Sequence, residues 1–406
     1  MLEHRFNPKC LFACTLIASL LGATRASAQT FPPIGGIFIS DQELDQIYLS
    51  KDLNRDGDAL DPGELSVYFD GTNASGFDNP TSNVFTIFQS QSGFQYFGDG
   101  STDAVYRLRD VNRNGNALDA GEATLWFSAT DNANGFVLNT PNGLAEDSSG
   151  SIYIVTAGAG STTDANFVYR TQDLNSDGDA NDLDEASIWL DLTSLDSNSS
   201  PFEIAFIDDV AFIADTADAN PRVYRAEDRN NDNVIDPLTE VNIFIDESNP
   251  FGVGVFYFGL DTDSSSVLGL DLISNSIFRL TDIDNSGAID QASEALEIWN
   301  PSVIPSGFGF GTGFSVASGP GGELSIISSS SDPTENNIFR LLDNNGDGDY
   351  LDQGETITYL SRALTSFFPD RPRALAYAQS VPEPNTVLAL LGLTGSYFLI
   401  KRLKQL

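Results

Sequence analysis

From residue 36 onward the chain falls into short runs in which β-branched and aromatic residues alternate with polar ones. Examples are GIFISD, IYLSKD and LSVYFD near the start, and PFEIAFID, DVAFIADT, RVYRAED and VNIFID further on. A period of two is that of a strand with one buried face, and these runs are bounded by Gly-, Asn- and Asp-rich turns. They group in fours. One complete unit reads NGLAED, SIYIVTAG, FVYRTQD and ASIWLDL, and six such units succeed one another along the chain. The last turn of each unit is an acidic loop, and successive loops start 58, 63, 55, 54 and 61 residues apart. That period suits one propeller blade with its connections. The first unit has three strands and lacks an opening one; Arg373-Ala-Leu-Ala-Tyr-Ala378, after the sixth unit, matches the missing strand. The pattern therefore predicts an all-β, six-bladed β-propeller, closed by three N-terminal strands and one C-terminal strand, which leaves no open sheet edge. A linear solenoid would need capping repeats instead.

The acidic loops carry the chemistry. The clearest copy runs Asp52-Leu-Asn-Arg-Asp-Gly-Asp-Ala-Leu-Asp-Pro-Gly-Glu64, and the others start at Asp110, Asp173, Asp228, Asp282 and Asp343. Each has oxygen-bearing side chains at positions 1, 3 and 5, an acid at 9 or 10, Glu at 13, and Gly or Asn at 6 for a sharp bend. A hard cation such as Ca²⁺ takes roughly six to eight oxygens, and alternate residues of a tight loop supply them. The candidate ligands are Asp52, Asn54, Asp56, Asp58, Asp61 and Glu64 in the first loop, and Asp110, Asn112, Asn114, Asn116, Asp119 and Glu122 in the second. The third offers Asp173, Asn175, Asp177, Asp179, Asp182 and Glu185, the fourth Asp228, Asn230, Asp232, Asp236 and Glu240. The fifth offers Asp282, Asp284, Ser286, Asp290 and Glu294, the sixth Asp343, Asn345, Asp347, Asp349, Asp352 and Glu355. Up to six Ca²⁺ ions are expected. The loops resemble those of EF-hands and dockerins, but the closing Glu comes one residue late and the flanks are strands, which makes this a hairpin variant. Acidic turns also serve as plain hairpin connectors; six copies with one spacing favour the cation.

The run Asn142-Gly-Leu-Ala-Glu-Asp147, followed by Gly150-Ser-Ile-Tyr-Ile154, resembles the opening of blades in six-bladed propellers of the NHL and gluconolactonase-like group. That resemblance implies a catalytic mouth on the face built from the connections between blades and between second and third strands. The acidic loops, joining third and fourth strands, fall on the opposite face at the outer rim and read as structural clips. It also implies an alternative function, a calcium-dependent hydrolase (lactonase-like or phytase-like) using acids of the mouth. Candidates there are Asp41, Glu43, Asp45, Asp99, Asp103, Asp131, Asn134, Asp215, Asp218, Asp246 and Asp370. Phosphate handling would call for clustered Lys or Arg, and Arg371 and Arg373, flanking a proline, are the basic pair of note. A Tyr-Arg or Phe-Arg dipeptide precedes five loops (Tyr106, Tyr169, Tyr224, Phe278, Phe339 and the Arg after each), which suits an aromatic packed between blades and an Arg paired with loop acids. Trp126, Trp189 and Trp299 occupy matching places in fourth strands, again a packing signature.

Charge and the chain ends complete the picture. The net charge is −38, and residues 29–400 alone hold 57 acidic and 14 basic groups, a surface that repels nucleic acid and anionic lipid. Cys10, Cys14 and His4, all in the first 28 residues, are the only cysteines and histidine. With that segment removed, disulfides, thiol catalysis, Ser-His-Asp chemistry and His-bound zinc are excluded. Residues 1–28 read as a signal peptide: a basic start, the apolar CLFACTLIASLLGA and a small-x-small Ala26-Ser-Ala28. The domain follows over 29–380. Residues 381–406 hold Pro382-Glu-Pro384, a 15-residue apolar span and a basic end, and resemble the PEP-CTERM sorting signal of Gram-negative and cyanobacterial surface proteins. The resemblance implies an exosortase-type processing enzyme as partner and a destination in the cell envelope or outside it, with membrane contact only through this transmembrane tail. The span is short against the about 20 residues of a stable membrane helix; a plain anchor is the other reading. The expected role is a calcium-binding structural or adhesive module that holds extracellular polysaccharide or a surface protein.

Overall fold

The computed structural model describes residues 35–78, 80–158, 166–217, 220–365 and 368–378. The expected signal peptide, the sorting signal with its tail, Cys10, Cys14, His4 and Asp218 lie outside the described residues. Among those described, no helix is long and apolar enough to cross a membrane.

The chain forms six antiparallel sheets of four strands. In blades 1 to 6 the innermost strands are Pro372–Tyr377, Val84–Gln89, Pro141–Glu146, Pro201–Ile207, Tyr257–Thr262 and Thr312–Ser318. The outermost are Leu65–Asp70, Ala123–Ser128, Ala186–Asp191, Val241–Asp246, Ala295–Trp299 and Thr356–Ser361. Blade 1 is the composite one expected from the sequence, with Pro372–Tyr377 pairing antiparallel to Ile37–Asp41. Each innermost strand packs against those of both neighbouring blades, so the ring is closed.

The alternation in the sequence is resolved by stacking blade on blade. Six hydrophobic clusters form, one at each interface between adjacent blades. The second strand of a blade is covered on both faces, which is why Ile37–Asp41, Gln95–Asp99 and Val267–Asp271 are buried throughout. The aromatics of the Tyr-Arg and Phe-Arg dipeptides are buried as expected; Tyr106, for example, packs on Phe97 of its own blade and on Phe77 from the crossover before it. At the seam, Tyr377 lies against blade 6 and its hydroxyl bonds Ser325 Oγ at 2.7 Å.

One irregularity recurs in every blade. Opposite the dipeptide, the outermost strand carries one extra residue, a β-bulge, at Tyr68, Trp126, Trp189, Phe244, Ile298 and Tyr359. The carbonyl of each of these six residues accepts the backbone N–H of the eighth residue of the next blade's acidic loop. The donors are Ala117, Ala180, Ile235, Ile289, Tyr350 and Ala59, at 2.7–2.8 Å. All six eighth residues are buried. The loops are therefore staples between blades, and each covers the edge of its neighbour's outer strand. The clip expected on each outer hairpin thus also reaches the preceding blade. The bulges correct the register of the tryptophans: Trp126 and Trp189 are bulge residues, whereas Trp299 lies one place further on because Ile298 takes the bulge. All three are buried; Trp126 and Trp299 donate Nε1–H to Thr171 and Thr356 of the following blade.

Truncating the seam tests closure. Tyr377→Ala should lower stability by about 3–5 kcal/mol, the cost of deleting a buried aromatic. The check is a urea titration, in which the midpoint should fall with little change in slope.

Candidate functional site

The six loops share one backbone course. Positions 4 and 6 take left-handed conformations in all of them, with non-glycine residues at position 4 in five loops, such as Arg55 (φ 64°), Arg113 (φ 64°) and Ser176 (φ 65°). The Asp at position 1 holds that turn. In the first loop Asp52 Oδ1 accepts the N–H groups of Arg55 and Asp56, and Oδ2 accepts that of Gly57. The same position 1 to position 6 bond recurs in the other five. Positions 3 and 10 face each other across the loop: the amides of Asn54, Asn112, Asn175 and Asn345 reach the carboxylates of Asp61, Asp119, Asp182 and Asp352 at 2.5–2.6 Å. An amide turned by half a revolution presents oxygen at the same place.

Position 13 has a backbone role that spacing alone did not reveal. All six glutamates are buried, and their carboxylates accept N–H groups of the loop itself. Glu122, for example, takes Val111 and Asn112 on Oε1 and Asp119 on Oε2. At position 7, Asp58, Asn116, Asp179 and Asp349 cap the N–H of position 9. Carboxylates converge most closely in two loops, with one oxygen each of Asp177, Asp179 and Glu185, and of Asp282, Asp284 and Glu294, within 4.8 Å of one another. In the third loop Asp173 Oδ1 and Glu185 Oε2 are in addition buried without a hydrogen-bond partner. Orphaned carboxylate oxygens beside further acids suit a cation. Arg107 of the preceding blade stands 3.8 Å from Asp173, so the expected pairing of dipeptide arginines with loop acids is met here across blades. Arg225 pairs with Glu227 at the foot of its own loop and Arg279 with Asp263 in the turn before it, whereas Arg340 pairs with the buried Glu323 of its own blade.

The mouth acids behave differently from the expectation. Asp41, Asp99 and Asp215 end second strands, are fully buried, and accept backbone N–H groups, although Asp215 does so through Oδ1 alone and its Oδ2 is left without a partner. Asp41 accepts from Glu43, Leu44, Asp370 and Arg371; Asp99 accepts from Asn83, Ser101 and Thr102; Asp215 accepts from Ser200 and Ala217. Each ties its turn to the crossover that delivers the innermost strand. Asp103 accepts from Thr140 N–H, and Asp246 caps Ser248. Asp45 and Asp103 hold left-handed turn positions. Asp131 and Glu43 are exposed, and Asp370 pairs with Arg362. Asn134 bonds the third acidic loop at Asp182 and Asp184, which puts it on the rim rather than at the mouth.

The channel holds residues the sequence reading passed over. Innermost strands also carry a bulge near their start, at Phe85, Asn142, Phe202 and Phe258, with the equivalent irregularity spanning Phe314 and Arg373 in blades 6 and 1. Five of these side chains meet across the channel. Phe202 stacks on Phe258 with centroids 4.2 Å apart, Phe85 touches Phe202, Phe314 adjoins Phe258, and the Arg373 guanidinium lies 3.8 Å above the Phe314 ring. The signal was present as a Phe at the same place in VFTIF, PFEIAF, YFGLD and GFSVA. Past this layer lies a cavity of about 250 Å³ lined by the later residues of the same strands, including Glu203, Asp261 and Thr86. Burial pushes the Asp261 carboxyl up to about 6 and Glu203 well above the usual range. These acids thus sit beyond the phenylalanine layer, toward the face of the rim loops.

No protein-family model matches the chain, and no curated protein matches it in sequence. Similar folds are found among solved structures. A chain of a nidogen/laminin complex has 14% identity over 85% of this chain and 98% of its own, with a TM-score of 0.53. A virginiamycin B lyase from Staphylococcus aureus has 17% identity over 82% and 85%, TM-score 0.45, and a gluconolactonase from Xanthomonas campestris 14% over 82% and 88%, TM-score 0.44. At this distance the likeness concerns the fold.

Two measurements follow from the geometry. Glu122→Gln replaces an acceptor by a donor facing backbone N–H groups, and should cost about 1–3 kcal/mol in chelator as well as in calcium, read by urea titration. Asp261 binds its proton more tightly folded than unfolded, so its contribution to stability falls as pH climbs from about 4 through about 6. Asp261→Asn should therefore gain on the parent protein across that window when both are unfolded at matched pH.

Proposed function

We propose that this protein is an exported, calcium-dependent propeller that acts as a structural or adhesive module of the cell surface or extracellular matrix. The observation that carries the reading is the sixfold docking of an acidic loop onto the neighbouring blade. An ion that organises such a loop acts on the ring and not on one hairpin. The donor sets fit Ca²⁺ best: carboxylate and amide oxygens throughout and, outside the first 28 residues, neither Cys nor His. In the third loop Asp173, Asp177, Asp179 and Glu185 would hold the ion, and in the fifth Asp282, Asp284 and Glu294; the remaining loops repeat the spacing. Bound calcium supplies fixed positive charge among acids that otherwise repel.

Binding is favoured over turnover because Asp41 and Asp99, buried candidates for a hydrolase, have both carboxylate oxygens engaged by backbone N–H groups, and Asp215 has one of its two engaged. Polysaccharide or a surface protein is the expected ligand. Export rests on the N-terminal segment, and delivery to the envelope by an exosortase-type enzyme rests on the Pro-Glu-Pro tail.

A calorimetric calcium titration of the full chain, with a thermal melt at each point, tests the calcium reading. Saturable binding should raise the melting temperature progressively, and a hundredfold excess over Kd adds about 2.7 kcal/mol for a single site. Asp173→Asn combined with Asp177→Asn should remove one site and lower the melt more in calcium than in chelator, where only the loop's own bonds and the Arg107 contact are affected. Absence of binding would overturn the reading.

A further inference from the structure

The bulged residues at the channel mouth are unlike one another. Phe85, Phe202, Phe258 and Phe314 are apolar and Asn142 is buried and bonded to Pro201 O, whereas Arg373 is a cation. Its Nε–H donates to Gln42 Oε1 at 2.9 Å and its plane rests on Phe314. Among the described residues no carboxylate pairs with it. Instead Arg371 stands beside it, and burial together with that like charge pushes the Arg373 guanidinium down to about 10. A half-buried cation next to another cation is a costly arrangement on its own.

Both arginines line a depression of about 640 Å³ on the mouth side of the phenylalanine layer. Arg362, Asp370 and Glu43 also line it, which leaves three cations against two carboxylates, and so do Thr312, Ser330 and Ser331. Arg362 is committed to Asp370. Glu43 is exposed, and Asp41 below is saturated by four backbone N–H groups. In a chain with 58 acids against 20 bases, this is a local excess of positive charge in a concave, hydroxyl-lined place with an aromatic floor.

We propose that Arg373 and Arg371 form a receptor for one oxyanion group, a carboxylate or sulfate, with the neighbouring hydroxyls receiving the rest of a small polyhydroxylated molecule such as an acidic sugar. Arginine's planar fork suits such groups, and a partly desolvated site strengthens the contact. The site lies apart from the rim loops and stands whether or not they hold calcium.

The test is calorimetric titration of the full chain at constant ionic strength with sodium glucuronate, sodium sulfate and glucose, run in calcium and in chelator. Saturable 1:1 binding of glucuronate is expected, with glucose inert. Arg373→Gln and Arg371→Gln should each weaken it about tenfold or more, the loss of one charge-assisted contact, while Lys51→Gln leaves it unchanged. Arg371 is exposed, so its variant keeps the test open should Arg373→Gln fail to fold. Glucuronate binding more tightly than sulfate identifies a sugar-borne anion as the ligand; equal affinities identify a free oxyanion. No saturable binding of either anion, or unchanged affinity in a folded Arg373→Gln protein, overturns the proposal. Loss of calcium binding with anion binding intact would instead count against the calcium reading alone.

Discussion

The structure depends on a hydrogen bond that joins blades rather than strands: the N–H of the eighth loop residue donating to the carbonyl of its neighbour's bulged outer residue. A propeller blade buries its faces against adjacent blades but leaves the edge of its last strand open. The bulge releases one carbonyl from the ladder, and the next loop takes it. Each such bond is worth only about 1 kcal/mol net. Its importance is geometric, because it fixes six acidic loops around the ring and buries an apolar residue under each.

That placement sets what the loops must endure. Their acids are gathered at interfaces, some without any partner, on a protein already strongly negative. The fold answers part of this itself: position 1 and position 13 carboxylates accept backbone N–H groups, and Arg107 approaches Asp173. The unsatisfied remainder, clearest at Asp173 and Glu185, is where a divalent ion would act. Because the loop belongs to one blade and rests on another, an ion there would bias the interface between them.

The same device, one extra residue in a strand, is used a second time at the centre. Bulges on the innermost strands bring phenylalanines together across the channel and set Arg373 among them. The layer divides a polar depression on one side from a cavity with Glu203 and Asp261 on the other. Acids expected to gather at the mouth instead serve the backbone, since every crossover brings N–H groups into a buried place where water cannot reach them.

The sequence by itself determined the six repeats, the four strands in each, the composite first blade and the loop positions, because hydrophobic alternation and turn chemistry are local properties. It also determined that Asp52 and Glu64 and their counterparts act within one loop, since thirteen residues in a tight turn cannot place them far apart. Only the tertiary structure decided that the loop clasps the preceding blade, that Asn134 lies at the rim, that Ile298 rather than Trp299 takes the bulge, and that two of the four N–H groups on Asp41 come from residues more than three hundred positions away. The reason is that a closed ring joins segments distant in the chain, and which carboxylate meets an N–H, a cation or water is settled by those long-range contacts.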